Sequence, residues 1–232
     1  MKPKNNLYSG HRYPKDIISH VVWLYHRFTL SYRDIEDILA YRGIQVTYES
    51  ICQWCLKFGK TYAKKLRNQY GKKSDCWFLD EVFIKIRGKM HYLWRAVDQD
   101  GDVIDILVQK RKDKKAAQRF FKKLLKAQER TPYKLMTDKL KSYGLAKEEL
   151  MPSVTHIQAR YSNNREENSH QRTRQQERQM RGFKSHKQAQ LFLSVHGQIN
   201  NLFNLGRHLM RAENYRFFRF RAFNEWSEMT CA

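Results

Sequence analysis

Acidic side chains stand out in this sequence where they interrupt apolar segments of a strongly basic chain. Asp80 lies within the apolar run Phe78–Phe83. If that run forms a strand, Asp80 shares one face with its apolar neighbours at positions 78 and 82, and Glu81 takes the other face. A carboxylate in such a place costs free energy unless it is paired or binds a cation. Asp80 is therefore a candidate metal ligand, and pairing with one of the many lysines or arginines is the alternative.

A second candidate ligand, Asp138, follows the apolar run 133–136 and precedes a polar loop. This position corresponds to the C-terminal end of a strand. In sheets with crossover helices, ligands gather at that end. Taken alone, the aspartate fits the capping position of a helix equally well.

The third cluster, Ser162–His170, combines amides, acids and an imidazole. A helix that begins early in this cluster places Glu167 near its start, with His170 and Arg174 further along the same face. Glu166 then points about 100° away from that face. This face suits a metal ion followed by a DNA strand, and a solvated helix face of mixed charge is the alternative.

Several carboxylates in one site point to phosphodiester chemistry. Cleavage of a phosphodiester places negative charge on the attacking and the leaving oxygen, and two divalent ions about 3.5–4 Å apart stabilise both. Hard oxygen ligands suit Mg²⁺, which keeps waters and a substrate phosphate in its shell. We therefore expect two Mg²⁺ ions, or Mn²⁺ in their place.

The overall charge indicates a polyanionic partner. The 232-residue chain has 45 Lys and Arg against 23 Asp and Glu, a net charge of +22. Such a balance favours nucleic acid, and the alternative is a ribosomal or merely basic soluble protein. Because 41% of the residues are hydrophobic and 13% aromatic, a folded core is expected rather than a disordered basic tail.

The sequence offers no membrane span and no signal peptide. No apolar stretch approaches the roughly 18–20 residues of a spanning helix, and residues 1–12 are polar. Cys52 and Cys55 form a C-x-x-C pair, but no second pair follows at zinc-finger spacing, and both fall in a helical pattern. We expect them to fill a core, and we expect a cytoplasmic, nucleoid-associated protein.

The first sixty residues predict three short helices, which begin after Pro14, Ser31 and Thr47. Ser31 and Asp34 form a short capping box, and Gly43 occupies a C-terminal cap. The last two helices predict a helix-turn-helix, with an ordinary helical hairpin as the alternative. The second of these helices would offer four side chains to a DNA groove: Tyr48, Ser50, Gln53 and Lys57.

Beyond a polar and basic stretch, the remaining sequence predicts the element order β-β-β-α-β-α-β-α-α. Strand-like residues occupy 77–86, 90–97 and 103–108, with an Asp-Gly hairpin turn before the third strand. Shorter strands at 133–137 and 154–158 alternate with helices, and the last helix runs from about 187 to 207. The fold class is α/β (α+β): a mixed sheet flanked by helices, preceded by the small helical domain.

Taken together, several motifs resemble those of DDE transposases of bacterial insertion sequences, especially the short IS-six family. The matching segments cover nearly the whole chain: 30–35 (LSYRDI), 80–89 (DEVFIKIRGK), 92–98 (YLWRAVD), 137–139 (TDK), 163–170 (NNREENSH) and 182–185 (GFKS). The resemblance implies an RNase H-like sheet whose catalytic, metal-binding triad is Asp80, Asp138 and Glu167. It also implies that Arg174 contacts the element end.

The resemblance further implies a function. Members bind their terminal inverted repeats through the N-terminal domain, cleave at the 3′ ends and attack target DNA with the exposed 3′-hydroxyl. A homodimer or higher assembly on double-stranded DNA is expected, because two element ends must meet. Competing hypotheses are a helix-turn-helix regulator, a metal-dependent nuclease without strand transfer, and a decayed copy that only binds DNA.

Four regions follow from these motifs. Residues 1–62 are expected to form the helix-turn-helix domain, 63–75 a linker and 76–210 the DDE catalytic domain. Residues 211–232 form a basic and aromatic tail in which arginine alternates with phenylalanine. This tail is expected either to contact DNA as a strap that stacks on the backbone or bases, or to pack as a C-terminal segment.

Overall fold

A computed structural model describes residues 7–70, 75–138, 141–158 and 173–231. Within these ranges the helices are α1 (Lys15–Arg27), α2 (Tyr32–Tyr41), α3 (Tyr48–Tyr70), α4 (Lys114–Gln128), α5 (Lys141–Leu150), α6 (173–179), α7 (His186–Leu202) and α8 (Ala212–Cys231). The strands are β1 (Cys76–Ile86), β2 (Lys89–Val97), β3 (Val103–Gln109), β4 (Lys134–Thr137) and β5 (Thr155–Gln158).

The described residues form two compact units. One contains the chain up to Tyr62 together with the segment from Leu205 onward, and the other contains Ala63–Asn204. No helix in the described ranges is long and apolar enough to cross a membrane.

The first unit begins with the predicted helices. The Ser31 hydroxyl accepts from the Asp34 N–H at 3.1 Å, and the Asp34 carboxylate accepts from the Ser31 N–H at 2.6 Å, which confirms the capping box. At the other end of α2, Gly43 has φ +74°. Its N–H donates to the carbonyl of Ala40 while that of Ile44 donates to Leu39, so the predicted glycine cap is a Schellman motif.

The structure differs from the expected linker 63–75, because residues 63–70 continue α3. Ala63 and Leu66 are buried and extend the helical spacing of α3. In the second unit, the guanidinium of Arg67 lies 3.3 Å from the buried carboxylate of Asp105, which also pairs with the Lys123 ammonium at 2.5 Å. This buried cluster holds the last turns of α3 against β3 and α4, because removal of one partner would leave an unpaired charge in the interior.

The second unit is a five-stranded mixed sheet with the strand order β3-β2-β1-β4-β5. The first three strands are antiparallel neighbours, whereas β4 is parallel to β1 and β5 is parallel to β4. The predicted element order is confirmed, and this order and these directions make the sheet RNase H-like. Helices α4 and α5 bury one face of the sheet around Trp77, Trp94, Leu135 and Tyr143.

Two C-terminal elements differ from the expectations. Helix α7 ends at Leu202 rather than near 207; a short 3-10 turn over Arg207–Leu209 follows it after an interval that contains Gly206. The predicted basic and aromatic tail is an α-helix, α8, and its residues belong to the first compact unit.

The turn between β2 and β3 is the predicted Asp-Gly hairpin. Gly101 has φ +84°, and its N–H donates to the carbonyl of Asp98 at 3.1 Å. The Asp98 carboxylate accepts from the N–H groups of Asp100 and Asp102, both at 2.9 Å. Burial, followed by the charge of Asp98, raises the pKa of Asp102 to about 7.

We expect Asp102→Asn to stabilise the protein at alkaline pH. A carboxyl whose pKa is raised by folding binds its proton more tightly in the folded state, so its contribution to stability is lost as the pH rises toward 7. The neutral asparagine escapes that loss. The melting temperature of the Asp102→Asn variant should exceed that of the wild type by about 2–4 °C at pH 8, and the difference should shrink toward pH 5. Asp100→Asn, in the same turn, is the control, and an equal gain from both variants would contradict the assignment.

Candidate active site

The parallel pairing of β1 with β4 brings the two predicted aspartates to one edge of the sheet. In the register, Phe78 is level with Met136 and Leu79 with Thr137. The next residue on each strand is therefore an aspartate, Asp80 or Asp138, and both are half-buried. β4 ends at Thr137 while β1 continues to Ile86, so the parallel register places the end of β4 beside the middle of β1 and brings together two residues far apart in sequence.

The geometry at this edge suits a metal ion. One carboxylate oxygen from each of Asp80, Glu81 and Asp138 can be chosen so that all three lie within 4.8 Å of one another. Carboxylate oxygens are hard ligands of the kind that Mg²⁺ and Mn²⁺ accept. Since Asp80 and Asp138 are partly exposed, water and a phosphate oxygen have room to complete the coordination shell. The donor set therefore fits a divalent ion.

Glu81 is the most buried of the three acids, with 8% of its surface exposed. The Tyr143 hydroxyl donates to Glu81 Oε2 at 2.6 Å, and the Lys112 ammonium pairs with Oε1. Burial raises the pKa of Glu81, the two hydrogen bonds oppose the rise, and the charge of Asp138 adds to it. Both carboxylate oxygens of Glu81 are thus engaged by protein groups.

Lys112 supplies positive charge to the whole acidic cluster. Burial acts to lower its pKa, but the hydrogen bond and charge of Glu81, together with the charges of Asp138 and Asp80, outweigh burial and raise it. The ammonium therefore stays protonated. A second cation, the buried Arg95, is level with Asp80 on the adjacent strand β2, where opposite charges on facing residues attract.

The backbone of Asp138 is held by the end of β4. The Thr137 hydroxyl donates to the Asp138 carbonyl at 2.8 Å and lies 2.8 Å from His156 Nε2 on the neighbouring strand β5. Burial, and after it the charge of Lys147, lowers the pKa of His156, so its ring favours the neutral form. A neutral ring with its proton on Nε2 can donate to the threonine oxygen and complete the chain.

The third predicted acid lies outside the described residues, as do its neighbours Glu166 and His170. Arg174, by contrast, is described: it is exposed on α6. It lines a surface cavity with Phe83, Lys85, Met90, Glu177 and Arg178. Glu177 accepts from the N–H of Lys85 at 3.1 Å, which ties this helix to strand β1.

The predicted recognition residues all lie on α3. Gln53 and Lys57 are exposed, and the Lys57 ammonium lies 2.8 Å from His11 Nε2. Ser50 and Tyr48 are half-buried. Tyr48 is held in place, because its N–H donates to Glu36 Oε1 at 3.0 Å and the Arg33 guanidinium lies 4.2 Å from its ring centroid.

Cys52 and Cys55 contain free thiols, and Cys55 is buried, as expected of a core residue. The potential metal-binding group found among the described His, Cys, Asp and Glu side chains is the carboxylate cluster, not this pair.

Sequence reasoning missed Lys112 and Tyr143 and gave Glu81 no part in the site. Lys112 is one of nine Lys and Arg residues in the segment 110–126, and nothing in that run distinguishes it. Tyr143 lies in a short helix with little apolar periodicity. The available signal was the acidic dipeptide itself, because a second acid in an apolar strand also needs a partner.

Comparisons with known proteins agree with these observations. A DDE domain model of the IS240 transposase type matches residues 74–205. The chain is 34% identical over 170 residues to a transposase for the insertion sequence-like element IS431mec of Staphylococcus aureus, covering 71% of this chain and 75% of that protein. It is 33% identical, with the same coverage, to the transposase for IS257 in transposon Tn4003 of that organism. The catalytic domain of Mos1 mariner transposase aligns with a TM-score of 0.38 at 16% identity, covering 76% of this chain and 92% of that one.

We expect Tyr143→Phe to destabilise the fold while leaving the aromatic packing intact. The ring lies 5.3 Å from that of Trp94, and phenylalanine preserves this contact. Loss of the hydroxyl removes a buried hydrogen bond to a carboxylate, worth about 1.5–3 kcal/mol of unfolding free energy, measurable by urea denaturation. Tyr133→Phe, at an exposed ring, is the matched control and should change nothing. If Tyr143→Phe unfolds at the wild-type urea midpoint, the Tyr143–Glu81 bond carries no stability.

Proposed function

Because the chain belongs to the DDE-domain family of insertion-sequence transposases, we propose that Asp80, Asp138 and Glu167 are the triad with which it cleaves and joins DNA. The chain is a transposase, an enzyme of phosphoryl transfer. The observation that carries the assignment of two of the three residues is the β1–β4 register, which brings Asp80 and Asp138 together. Glu167 rests on its place in the motif that resembles the family, and Glu166 is the competing choice.

The acidic side chains have two different roles around the reacting phosphate, metal binding and positioning. When bound, divalent ions stabilise charge on the attacking and leaving oxygens, and we propose two ions, Mg²⁺ or Mn²⁺. Asp80 and Asp138 are partly exposed and offer oxygens toward solvent, where the DNA backbone enters. Glu81, bonded to Lys112 and Tyr143, acts as a positioning residue that holds the middle of β1 and keeps a cation beside the ligands.

The proposed reaction needs no covalent enzyme intermediate. In the first step water attacks the phosphodiester at the element end, and a P–O bond breaks to leave a 3′-hydroxyl. In the second step that hydroxyl oxygen bonds to a target phosphorus, and the target's own 3′-oxygen leaves with a proton. Each step exchanges one P–O bond for another, so no serine or tyrosine nucleophile is required.

Recognition of the terminal inverted repeats is assigned to the first unit. Helices α2 and α3 with the glycine turn between them support a helix-turn-helix, whose second helix presents Gln53 and Lys57 to solvent. We assign Tyr48 and Ser50 to the same contact surface, and Arg174 and His170 to the DNA beside the catalytic site. For the four regions expected from the sequence we propose recognition by 1–62, connection by 63–75, which begins with the last turns of α3, catalysis by 76–210 up to the start of the C-terminal part of the first unit, and further DNA contact by 211–232.

Two element ends must be joined to one target, so we propose that a homodimer or larger assembly forms on double-stranded DNA. The substrate places the reaction at the bacterial nucleoid. A regulator without catalysis would leave the carboxylate cluster without a role, and a simple nuclease would leave the helical unit without one.

The proposal predicts that Asp138→Asn abolishes strand transfer. The variant keeps the size of the side chain but loses a charged ligand, so labelled element-end DNA should yield no product joined to a plasmid in Mg²⁺, although it still binds the protein. Asp75→Asn, an exposed acid just before β1, is the matched control and should join DNA like the wild type. Joining by Asp138→Asn at the wild-type rate would overturn the assignment.

The same assay separates the two adjacent glutamates. Glu167→Gln should lose joining and Glu166→Gln should retain it, and the reverse result would transfer the third position to Glu166. If neither the wild type nor any variant joins DNA, yet all bind it, the transposase reaction itself is absent from this chain.

Recognition by α3 gives a separate prediction. Gln53→Ala should lower the preference for the element end over a scrambled duplex, by an amount corresponding to about 1–3 kcal/mol, because a base-edge contact is lost. Lys57→Ala should weaken binding to both duplexes alike and reduce the salt slope by about one, as for a phosphate contact. Equilibrium binding over a salt series measures both effects, with Lys126→Ala in α4 as the control. If Gln53→Ala leaves the preference unchanged, α3 does not read sequence through that side chain.

A further inference from the structure

The two halves of α8 differ in their surroundings. In the C-terminal half, Ala222, Trp226 and Thr230 are buried at helical spacing. The Trp226 ring lies 5.3 Å from the Tyr62 ring, and the Tyr8 hydroxyl donates to the Thr230 carbonyl at 2.5 Å. These contacts anchor the helix in the first unit.

The N-terminal half of α8 exposes large apolar side chains. Phe217 and Phe220 have 61% and 66% of their surfaces exposed. Between residues 212 and 221, Tyr215 is half-buried and the other side chains are exposed. Single exposed apolar residues are common, but a contiguous group of phenylalanines on one helix marks a binding surface.

Arginines surround these rings. Phe217 and Phe220 are three residues apart and share a helix face, with Arg216 beside it. Beyond Arg216, on the side of the helix away from Phe217, the guanidiniums of Arg207 and Arg219 lie 5.8 Å and 5.5 Å from the ring centroid of Tyr215. Together with Arg216, these arginines line a surface groove. Glu213, four residues before Phe217, lies on the same face as the two rings, where the arginines outnumber it, and the carboxylate of Glu225 is bonded to Arg221 at 2.8 Å.

The charge decides which partner this surface fits. A second copy of the same face would oppose arginine to arginine on a chain with a net charge of +22, so self-association there is disfavoured. A polyanion with flat aromatic groups satisfies both features, because guanidiniums bind phosphates and aromatic rings stack on bases. Among nucleic acids, only unpaired bases present their faces, since an intact duplex hides them in its stack.

The spacing of the rings leads to the same choice. Side chains three residues apart on a helix have Cβ atoms about 5–6 Å apart, whereas stacked bases follow one another every 3.4 Å or so along a strand. Successive bases must therefore leave their own stack to lie against Phe217 and Phe220. Such a strand exists where DNA ends fray or where a strand is displaced.

We propose that the Phe217–Phe220 face of α8, with Arg207, Arg216 and Arg219, binds single-stranded DNA through base stacking and phosphate contacts. The proposal deepens the transposase function and rests on it for its biological setting, since cleaved element ends supply unpaired strands. The binding itself uses no catalytic carboxylate and no metal ion, so it can be measured independently of DNA joining.

The test is fluorescence anisotropy with the full chain in EDTA, on a labelled oligothymidylate and on a G·C-rich blunt duplex that carries the label at an internal position. Each of Phe217→Ala and Phe220→Ala should raise the Kd for the single strand about tenfold, and the double variant should raise it further. The Kd for the duplex should stay within the error of the wild-type value. Leu209→Ala, at an equally exposed apolar residue outside α8, is the matched control and should change neither Kd.

Two outcomes would overturn the proposal. If both Kd values rise together, with an unchanged circular dichroism spectrum, the rings do not discriminate unpaired bases. If neither Kd changes while sedimentation shows that the double variant loses a dimer formed by the wild type, the face is an interface between copies. A chain that binds the single strand through these rings yet never joins DNA would sustain this inference and refute the proposed reaction, so the two failures are distinguishable.

Discussion

The site depends on the parallel pairing of β1 with β4. Because Leu79 is level with Thr137, the aspartate that follows each of them lies at the same level of the sheet, in the middle of β1 and just after the end of β4. Between β1 and β4 in the sequence, β2 and β3 extend the sheet on one side of β1. Helix α4 then connects β3 to β4 across the core. The fully buried Trp77 and Leu135 hold that register, because a slip of one residue would turn apolar side chains out of the core.

Bringing acids together is unfavourable unless positive charge accompanies them, and this accounts for the residues around the pair. Glu81 sits beside Asp80 in sequence and within ligand distance in space, yet its oxygens are occupied by Lys112 and Tyr143. We therefore interpret Glu81 as the acid that fixes this part of β1 and retains a counter-charge. The two aspartates, being partly exposed, are the ones placed to face a metal ion and a phosphate.

Local rules predicted the elements well where a single residue type satisfies a backbone requirement. The capping box at Ser31, the positive φ of Gly43 and the hairpin at Gly101 are such cases. Long-range partners were not predictable: Lys112 is one cation among many, and only the fold decides which one reaches Glu81. The length of α3 was obscured because its buried positions in this region, Ala63 and Leu66, lie among lysines. In α8 the buried positions at helical spacing are confined to the C-terminal half of the helix. The exposed apolar residues of the other half obscure that periodicity in the sequence.

The opposite charges of the surface and the site act at different ranges. At physiological ionic strength the screening length is about 8 Å, so DNA approaching from further away responds to the basic surface rather than to a few carboxylates. At contact, repulsion by the carboxylates outweighs this attraction, because a phosphate at this position would lie directly beside Asp80 and Asp138. Lys112 is already paired with Glu81 and offsets that repulsion only in part. Cations held by the aspartates, as proposed, would allow a phosphate to occupy this position. Under the proposed function, DNA binding would depend on the basic surface, whereas seating of the reacting phosphate would also require the metal ions.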